Sequence, residues 1–475
     1  MLLKHTILYL PAQFLGPLTQ FLSVIVWTHW LSPAEFGILM LVTVTHELAF
    51  AITLSGFTLY AVRHIPDRED VSKRRRFYNT EATMLAVSGL VSMVVALILL
   101  YVILDIMPSA LMVGATLLFF ATRSVTLHYA DRVRADEQFG NYTLLQVIGP
   151  VLGFALGMFF MAIYEATPAV VIGGYALAQL ISIVIVLPRA GYSLDISSPD
   201  RQMIKESITY GGPIMLSSWF AWFSDHGIRF IVKYGLDLAS VGLLSVPWGL
   251  GRRSAAFTAN LVNAAAFPLA VKKMKQGSRS GAMEQLSMNG AMLFGVLAPT
   301  VVGIWSINEL LVKTLIDIRF QEVTIALLPI AVVAGGLRYF RAHYPDQIFL
   351  LDGNTRKFFK IDLIESVAVL VFCALGLWSH GLPGAVAGAT FGVFIGVVTS
   401  FFYAVKAGGF HVLWIHFGRI IIACLVMAVA LWLIPVSTNT LGLVMSILMG
   451  ALVYALVLAP FYYRETKQIL VSMRG

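Results

Sequence analysis

The chain has 475 residues, 58% of them hydrophobic and 12% charged, with a formal net charge of +8 and a mean hydropathy of +0.82. A soluble domain carries about 25% charged residues, so a water-soluble enzyme or a string of soluble domains is excluded. The positive balance does not point to nucleic acid, because the basic residues sit in short segments flanking apolar runs, as the positive-inside rule requires.

Several stretches hold no Asp, Glu, Lys or Arg at all: Ala82–Leu104, Asn141–Tyr164, Ala166–Pro188, Gln285–Asn308, Ser366–Val405 and Ile420–Tyr463. An α-helix needs about 20 apolar residues to cross the hydrocarbon core, so the fold class is an all-α integral membrane protein. Lys4 and His5 precede an apolar run to Trp30 that is too long for a signal-peptide core, and it reads as a retained first helix. In chain order the sequence predicts fourteen transmembrane helices, at 6–30, 37–61, 80–104, 108–130, 142–163, 168–188, 208–232, 240–264, 286–307, 322–343, 362–379, 383–405, 416–434 and 440–462.

The loops between these spans separate by charge. One alternate set holds Arg63, Arg68, Lys73, Arg74, Arg75, Arg76, Arg132, Arg134, Arg189, Arg201, Lys205, Lys272, Lys273, Lys275, Arg279, Arg356, Lys357, Lys360 and Lys406, with Lys4, Arg464, Lys467 and Arg474 at the termini. The other holds Lys233, Lys313 and Arg319. The expectation is a multi-pass protein of the cytoplasmic (inner) membrane with both termini in the cytoplasm. The outward loops are too short for an external catalytic domain.

A weak internal repeat links Leu31-Ser-Pro-Ala-Glu-Phe-Gly37 to Leu236-Asp-Leu-Ala-Ser-Val-Gly242, with Pro11 and Pro213 similarly early in the preceding helices. It implies two six-helix bundles related by a pseudo-two-fold along the membrane normal. The expected divisions are an N-terminal half at 1–207, a C-terminal half at 208–410, and two additional, peripheral helices at 411–475.

Ionisable residues inside spans are costly and normally face a cavity or one another. Here they are His46 and Glu47 in span 2, Arg123 in span 4, Asp225, His226 and Arg229 in span 7, Arg252 and Arg253 in span 8, and Arg338, Arg341 and His343 in span 10. These helices are expected to line a hydrated central cavity. Arg123, Arg229, Arg252, Arg253, Arg338 and Arg341 outweigh Glu47 and Asp225, so that cavity would be cationic and suited to a diphosphate, which a guanidinium grips through its planar fork. Those six arginines are the candidate substrate-binding residues. Glu47, Asp225 and His46 are candidates for ion coupling or charge partnership. Asp225 and Arg229 could instead pair on one helix face, and Arg123, Arg253 and Arg341 could snorkel to an interface.

Trp219, Phe220, Trp222 and Phe223 read as packing residues before sugar-stacking ones. The run Gly384-Ala-Val-Ala-Gly388-Ala-Thr-Phe-Gly392 allows close helix packing. Cys373 and Cys424 lie in apolar segments and read as small core residues. No Walker motif, metal cluster or Ser/His/Asp constellation is present, so no cofactor is expected beyond H+ or Na+ gradient coupling.

The span count, the parallel halves and the arginine-rich interior resemble the MOP exporter superfamily. Leu31-Ser-Pro-Ala-Glu-Phe-Gly37-Ile-Leu resembles the Wzx-type polysaccharide-repeat flippases, as does Ser224-Asp-His-Gly-Ile-Arg-Phe-Ile-Val-Lys-Tyr-Gly235 followed by Ala239-Ser-Val-Gly242. Leu39 and Leu244 depart from that pattern, standing where the family often has tyrosine. The resemblance implies a flippase, not an enzyme. It would move an undecaprenyl-diphosphate-linked oligosaccharide, an O-antigen or exopolysaccharide repeat unit, from the inner to the outer leaflet by alternating access. Its partners would be that lipid-linked substrate, membrane lipids, a polysaccharide polymerase and glycosyltransferases. The alternatives are a lipid II flippase, which shares the diphosphate carrier, and a MATE-like cation-coupled drug exporter, which would want an acidic interior.

Overall fold

The structure is a computed structural model that describes residues 2–66, 70–190, 196, 198–434 and 437–472. Arg68 and Arg474 of the basic set lie outside the described residues, as do the side chains of Lys4, Pro11, Pro213, Arg464 and Lys467. Among the described residues every regular element is helical. The helices are α1 (Leu2–Trp30), α2 (Pro33–Thr53), α3 (Ser55–Arg63), α4 (Val71–Ile98), α5 (Ala110–Ala135), α6 (Phe139–Val147), α7 (Gly153–Ile163), α8 (Pro168–Ala190), α9 (Arg201–Gly235) and α10 (Leu238–Lys275). They continue with α11 (Arg279–Ser306), α12 (Asn308–Leu315), α13 (Ile318–His343), α14 (Gln347–Leu351), α15 (Thr355–Lys406), α16 (Trp414–Leu433) and α17 (Thr440–Ser472). Wide π turns extend α4 through Leu99–Ile103 and join α6 to α7 through Ile148–Leu152, where Pro150 has no N–H to give an ordinary turn.

The chain is an all-helical, multi-pass membrane protein. Among the described residues eleven helical segments are long and apolar enough to cross a membrane, against the fourteen spans expected. One difference is α15, which spans 52 residues but reverses at His380 (φ −137°) and Gly381 (φ +60°). That reversal turns the predicted spans 362–379 and 383–405 into one helical hairpin. Glycine is required at 381, since a side chain is strained at that φ. The other two are α1 and α9, which cover predicted spans 6–30 and 208–232 but are not among the eleven. Of these, α9 carries Lys205, Glu206, Asp225, Arg229 and Lys233 within its length.

The helices run further than hydropathy indicates. α4 begins at Val71, nine residues before the predicted span. Asp70 caps it by accepting from the Lys73 backbone N–H at 3.0 Å. That bond, with the Lys73 ammonium beside it, holds the Asp70 carboxyl down at about 2.

The chain divides into two compact units, 1–242 and 243–475. In the first, Leu54, Phe57, Phe77, Tyr129, Val133, Leu145 and Val186 form a buried core among α3, α4, α5, α6 and α8. The repeat motifs meet within this unit. Ser32 caps α2 by accepting from the Glu35 N–H, and Asp237 takes the same place before α10, accepting from the Ser240 N–H at 2.7 Å. A methyl group on Gly37 would lie 2.2 Å from the Leu238 carbonyl oxygen, and one on Gly242 1.8 Å from that of Pro33. The seventh residue of each motif thus packs on the third residue of the other.

In the second unit Tyr344, Phe349, Phe410 and Phe417 centre a core with Met283, Leu286 and Leu293. The two arms of α15 pack on a stripe of glycines. Gly376 meets the backbone of Gly384, Gly388 meets Phe372, Gly392 meets Val369, and Gly396 leaves room for the Glu365 carboxylate. The close packing expected of the 384–392 run is therefore present. α16 and α17 pack on each other and on α11, and expose Ile421, Leu425, Trp432, Leu448, Leu452 and Leu456. Cys373 and Cys424 are free and buried.

Because Gly242 has backbone rather than a flexible side chain against it, Gly242→Val is expected to destabilise the protein by about 1–3 kcal/mol or more. A Cβ at Gly249 meets nothing within 4 Å, so Gly249→Ala should be neutral or stabilising. Thermal unfolding in detergent micelles, followed by tryptophan fluorescence, compares the two.

Candidate functional site

Within the first unit, α9 docks on α2 through its aromatic block. Trp222 donates its indole N–H to the Val44 carbonyl at 2.9 Å, and Trp219 donates to that of Ala51 at 3.4 Å. Trp222 is buried, so it acts as a packing residue with a polar tether. One and two turns further along the same face come His226 and Arg229. His226 Nε2 lies 3.0 Å from Glu47 Oε2, and the Glu47 side chain is 45% exposed. Arg229 is buried, and its Nη1 reaches His226 Nδ1 at 3.1 Å and the Asp225 backbone carbonyl at 3.5 Å. Arg123, from α5, interacts electrostatically with Glu47 and with Tyr175 of α8. The fold therefore gathers Glu47, Arg123, His226 and Arg229 from three helices, with Asp225 beside His226.

His46 takes a different place. It is buried, hydrogen-bonded to Ser124 Oγ at 3.1 Å and set edge-on to Phe119 and Phe120. Those contacts make it a core histidine that holds α2 to α5.

In the second unit Arg338 and Arg341 do not stand in a cationic setting. Arg341 is 5% exposed and meets three carboxylates: Glu365 at 2.5 Å, Asp362 at 2.7 Å and Asp346 at 3.2 Å. Arg338 pairs with the other oxygen of Glu365 at 2.7 Å, and Ser400 donates to Asp346 at 2.5 Å. This network ties α13, the start of α14 and both arms of α15. A guanidinium held by three acids is poorly placed to bind a phosphate. The expected cationic balance counted these arginines without Asp362 and Glu365, at the start of the predicted span 362–379, and Asp346, three residues beyond the span that ends at 343. Arg252 and Arg253 are partly buried on α10, in the second unit.

A second buried network was not foreseen at all. Glu81 on α4 is fully buried and accepts from Arg132 Nε at 2.6 Å and from His128 Nε2 at 2.8 Å. His128 Nδ1 lies 2.8 Å from Thr58 Oγ1 of α3, Phe57 stacks on its ring, and the Arg132 guanidinium covers the Phe77 ring at 4.9 Å. Arg132 was assigned to a loop, but it is 0% exposed, inside a helix that continues to Ala135. The available signal was spacing: His128 and Arg132 are four apart on one face.

Residues 2–274 match the sequence profile of the polysaccharide biosynthesis protein family. The chain belongs to that family. Its fold is that of the MOP superfamily: it is similar to the lipid II flippase MurJ in an inward closed conformation, with a TM-score of 0.77 at 12% identity over 97% of this chain and 100% of that one. It is also similar to an inward-facing multidrug resistance MATE transporter of the MOP superfamily, with a TM-score of 0.63 at 14% identity over 84% of this chain and 97% of the other. A mutant of the Vibrio cholerae MATE transporter VcmN gives a TM-score of 0.56 at 16% identity over 85% and 96% of the two chains. No curated protein matches the sequence. The family is Wzx-type, and its members are multi-pass transporters, not enzymes. Membership implies a lipid-linked sugar as the substrate.

The two kinds of acidic residue predict different costs. Glu81→Gln removes the buried carboxylate that Arg132 and His128 share and is expected to destabilise the fold by about 3–5 kcal/mol. Glu47→Gln, at a half-exposed carboxylate, should cost less than about 1 kcal/mol. Unfolding midpoints in detergent, measured side by side, check the contrast.

Proposed function

We propose that this polysaccharide-biosynthesis family transporter is a flippase for an undecaprenyl-diphosphate-linked oligosaccharide, an O-antigen or exopolysaccharide repeat unit. It carries the headgroup from the inner to the outer leaflet of the cytoplasmic membrane by alternating access. The observation that carries this reading is the family match over residues 2–274. The chemistry agrees with it. Moving a diphosphate through a bilayer requires fixed cations along its path, since an isolated buried charge is very costly.

Arg123 and Arg229 in the first unit, and Arg252 and Arg253 in the second, are each candidates for contact with the diphosphate during its passage. Arg338 and Arg341 leave that set because of their acidic partners. Glu47, paired with His226, and Asp225 are the assigned charge partners and ion-coupling groups. H+ or Na+ supplies the gradient.

The topology that goes with this reading has fourteen spans, formed by the eleven segments with α1, α9 and the second arm of α15. Both termini lie in the cytoplasm. Six-helix halves at 1–207 and 208–410 are related by a pseudo-two-fold, which the reciprocal packing of Gly37 and Gly242 supports. The two helices at 411–475 are peripheral. Their exposed leucines suit contact with lipid or with the polyprenyl tail. A polymerase and glycosyltransferases are the partners that supply and consume the repeat unit.

Lipid II transport is the second reading, favoured by the full-length similarity to MurJ. Mass spectrometry of lipid co-purified with the protein separates the two. A polyprenyl diphosphate bearing an oligosaccharide repeat supports the first, and a peptide-bearing lipid overturns it. In cells, Arg252→Ala is expected to abolish surface polysaccharide while protein levels stay near normal. Normal display would remove Arg252 from the assigned set.

A further inference from the structure

We propose that His226 Nδ1 is a proton-binding site that competes with Arg229, so that an anionic ligand drawing Arg229 away loads one proton onto the protein. This rests on the reading of Arg229 as a diphosphate-binding residue.

The argument starts from donors and acceptors. Arg229 Nη1 lies 3.1 Å from His226 Nδ1. A guanidinium has only donors and stays charged, so Nδ1 must present its lone pair. The ring's remaining proton is then on Nε2, where it donates to Glu47 Oε2 at 3.0 Å. His226 is therefore a neutral Nε2–H imidazole while Arg229 is docked on it. A proton on Nδ1 would place two donors and two like charges 3.1 Å apart, so the docked arginine and the extra proton exclude each other.

A phosphate oxygen offers Arg229 a stronger, charge-assisted acceptor than a neutral imidazole. When the guanidinium turns to it, Nδ1 is freed. One N–H bond then forms there with a proton taken from solvent, and no other bond changes. The resulting imidazolium stays paired with Glu47 and adds positive charge to the site, favouring the anion further. Release of the anion lets Arg229 return and expels the proton.

The groups around the ring fit this role. Glu47 on α2 and Asp225 and Arg229 on α9 act on it directly. Arg123 on α5 and His46 on α2 interact with Glu47 behind it. On α3 and α4, which also pack on α9, Tyr60 pairs with Glu206, Arg63 with Tyr210, Lys73 with Asp70, Arg74 with Tyr78 and Asp136, and Glu81 with Arg132, while Arg75 and Arg76 lie in the first turns of α4. Trp222 covers one side of the ring at 5.6 Å. The Glu47 carboxylate is 45% exposed, so the pair is open on one side.

The test is calorimetric titration of the purified full-length protein with inorganic pyrophosphate, in buffers of different ionisation enthalpy, between pH 6.5 and 8.5. The buffer dependence counts protons taken up. Each coupled proton makes the affinity change about tenfold per pH unit. Pyrophosphate titrates too, but identically with every variant. His226→Gln can still accept from Arg229 and donate to Glu47, yet cannot titrate. Wild type should therefore take up more protons than His226→Gln, and its affinity should fall more steeply as pH rises.

Equal proton uptake by the two proteins overturns the switch while leaving the anion site standing. Failure of wild type to bind, or binding that Arg229→Ala does not weaken, overturns the diphosphate reading itself. Should His226→Gln not fold, wild-type uptake no greater than pyrophosphate's own titration requires is sufficient to overturn the switch.

Discussion

A charge taken out of water must bring its partners with it, and this constraint organises the interior. Transfer of an isolated ion into an apolar medium costs several kcal/mol even after relaxation. The structure meets that cost with polar networks that cross between helices. Arg341 binds Glu365, Asp362 and Asp346 and so joins α13, α14 and α15. Glu81 binds Arg132 and His128 and so joins α4 to α5, with Thr58 adding α3. Lipid supplies no hydrophobic drive for one apolar helix to choose another. Polar contacts of this kind, together with close backbone approach at glycines, give the bundle its specific pairings.

The glycine contacts are the second device. In α15 the stripe Gly376, Gly384, Gly388, Gly392 brings two arms together at backbone distance, and Gly396 opens the pocket that the Glu365 carboxylate fills. Packing and electrostatics are joined at that point: without the missing side chain at 396 there would be no room for the acid that Arg338 and Arg341 share. At the repeat, Gly37 and Gly242 do the same for two helix starts, each resting on a carbonyl of the other motif.

Against these fully engaged networks, the cluster on α2, α5 and α9 differs in character. Glu47 is half exposed, and its partner is a histidine whose charge depends on what else it touches. A group that remains close to its ordinary solvent can exchange protons and ligands. Glu81 and Arg132, fully buried, are set for architecture.

Length, composition and the spacing of charge-free runs determined the membrane class and the positions of the helices, and the short motifs at 31–39 and 224–242 carried the family resemblance. Every predicted span falls on helix, although 37–61 is divided between α2 and α3 and only eleven segments are apolar enough to cross. The repeat was legible as well: Ser32 and Asp237, at the same place in two short motifs, cap their helices in the same way. What sequence could not supply was which charge meets which. Hydropathy measures a segment's affinity for lipid, so it trimmed α5 at its polar end and left Arg132 in a loop, and it gave no partner to Glu81, Asp362 and Glu365 at the margins of their spans. Arg341 and Arg229 look alike in the sequence, each a cation inside a predicted span. Only the tertiary structure placed three carboxylates around one and an imidazole against the other. The three carboxylates come from outside α13, and nothing along that helix records them, whereas His226 stands one turn from Arg229 on α9 itself.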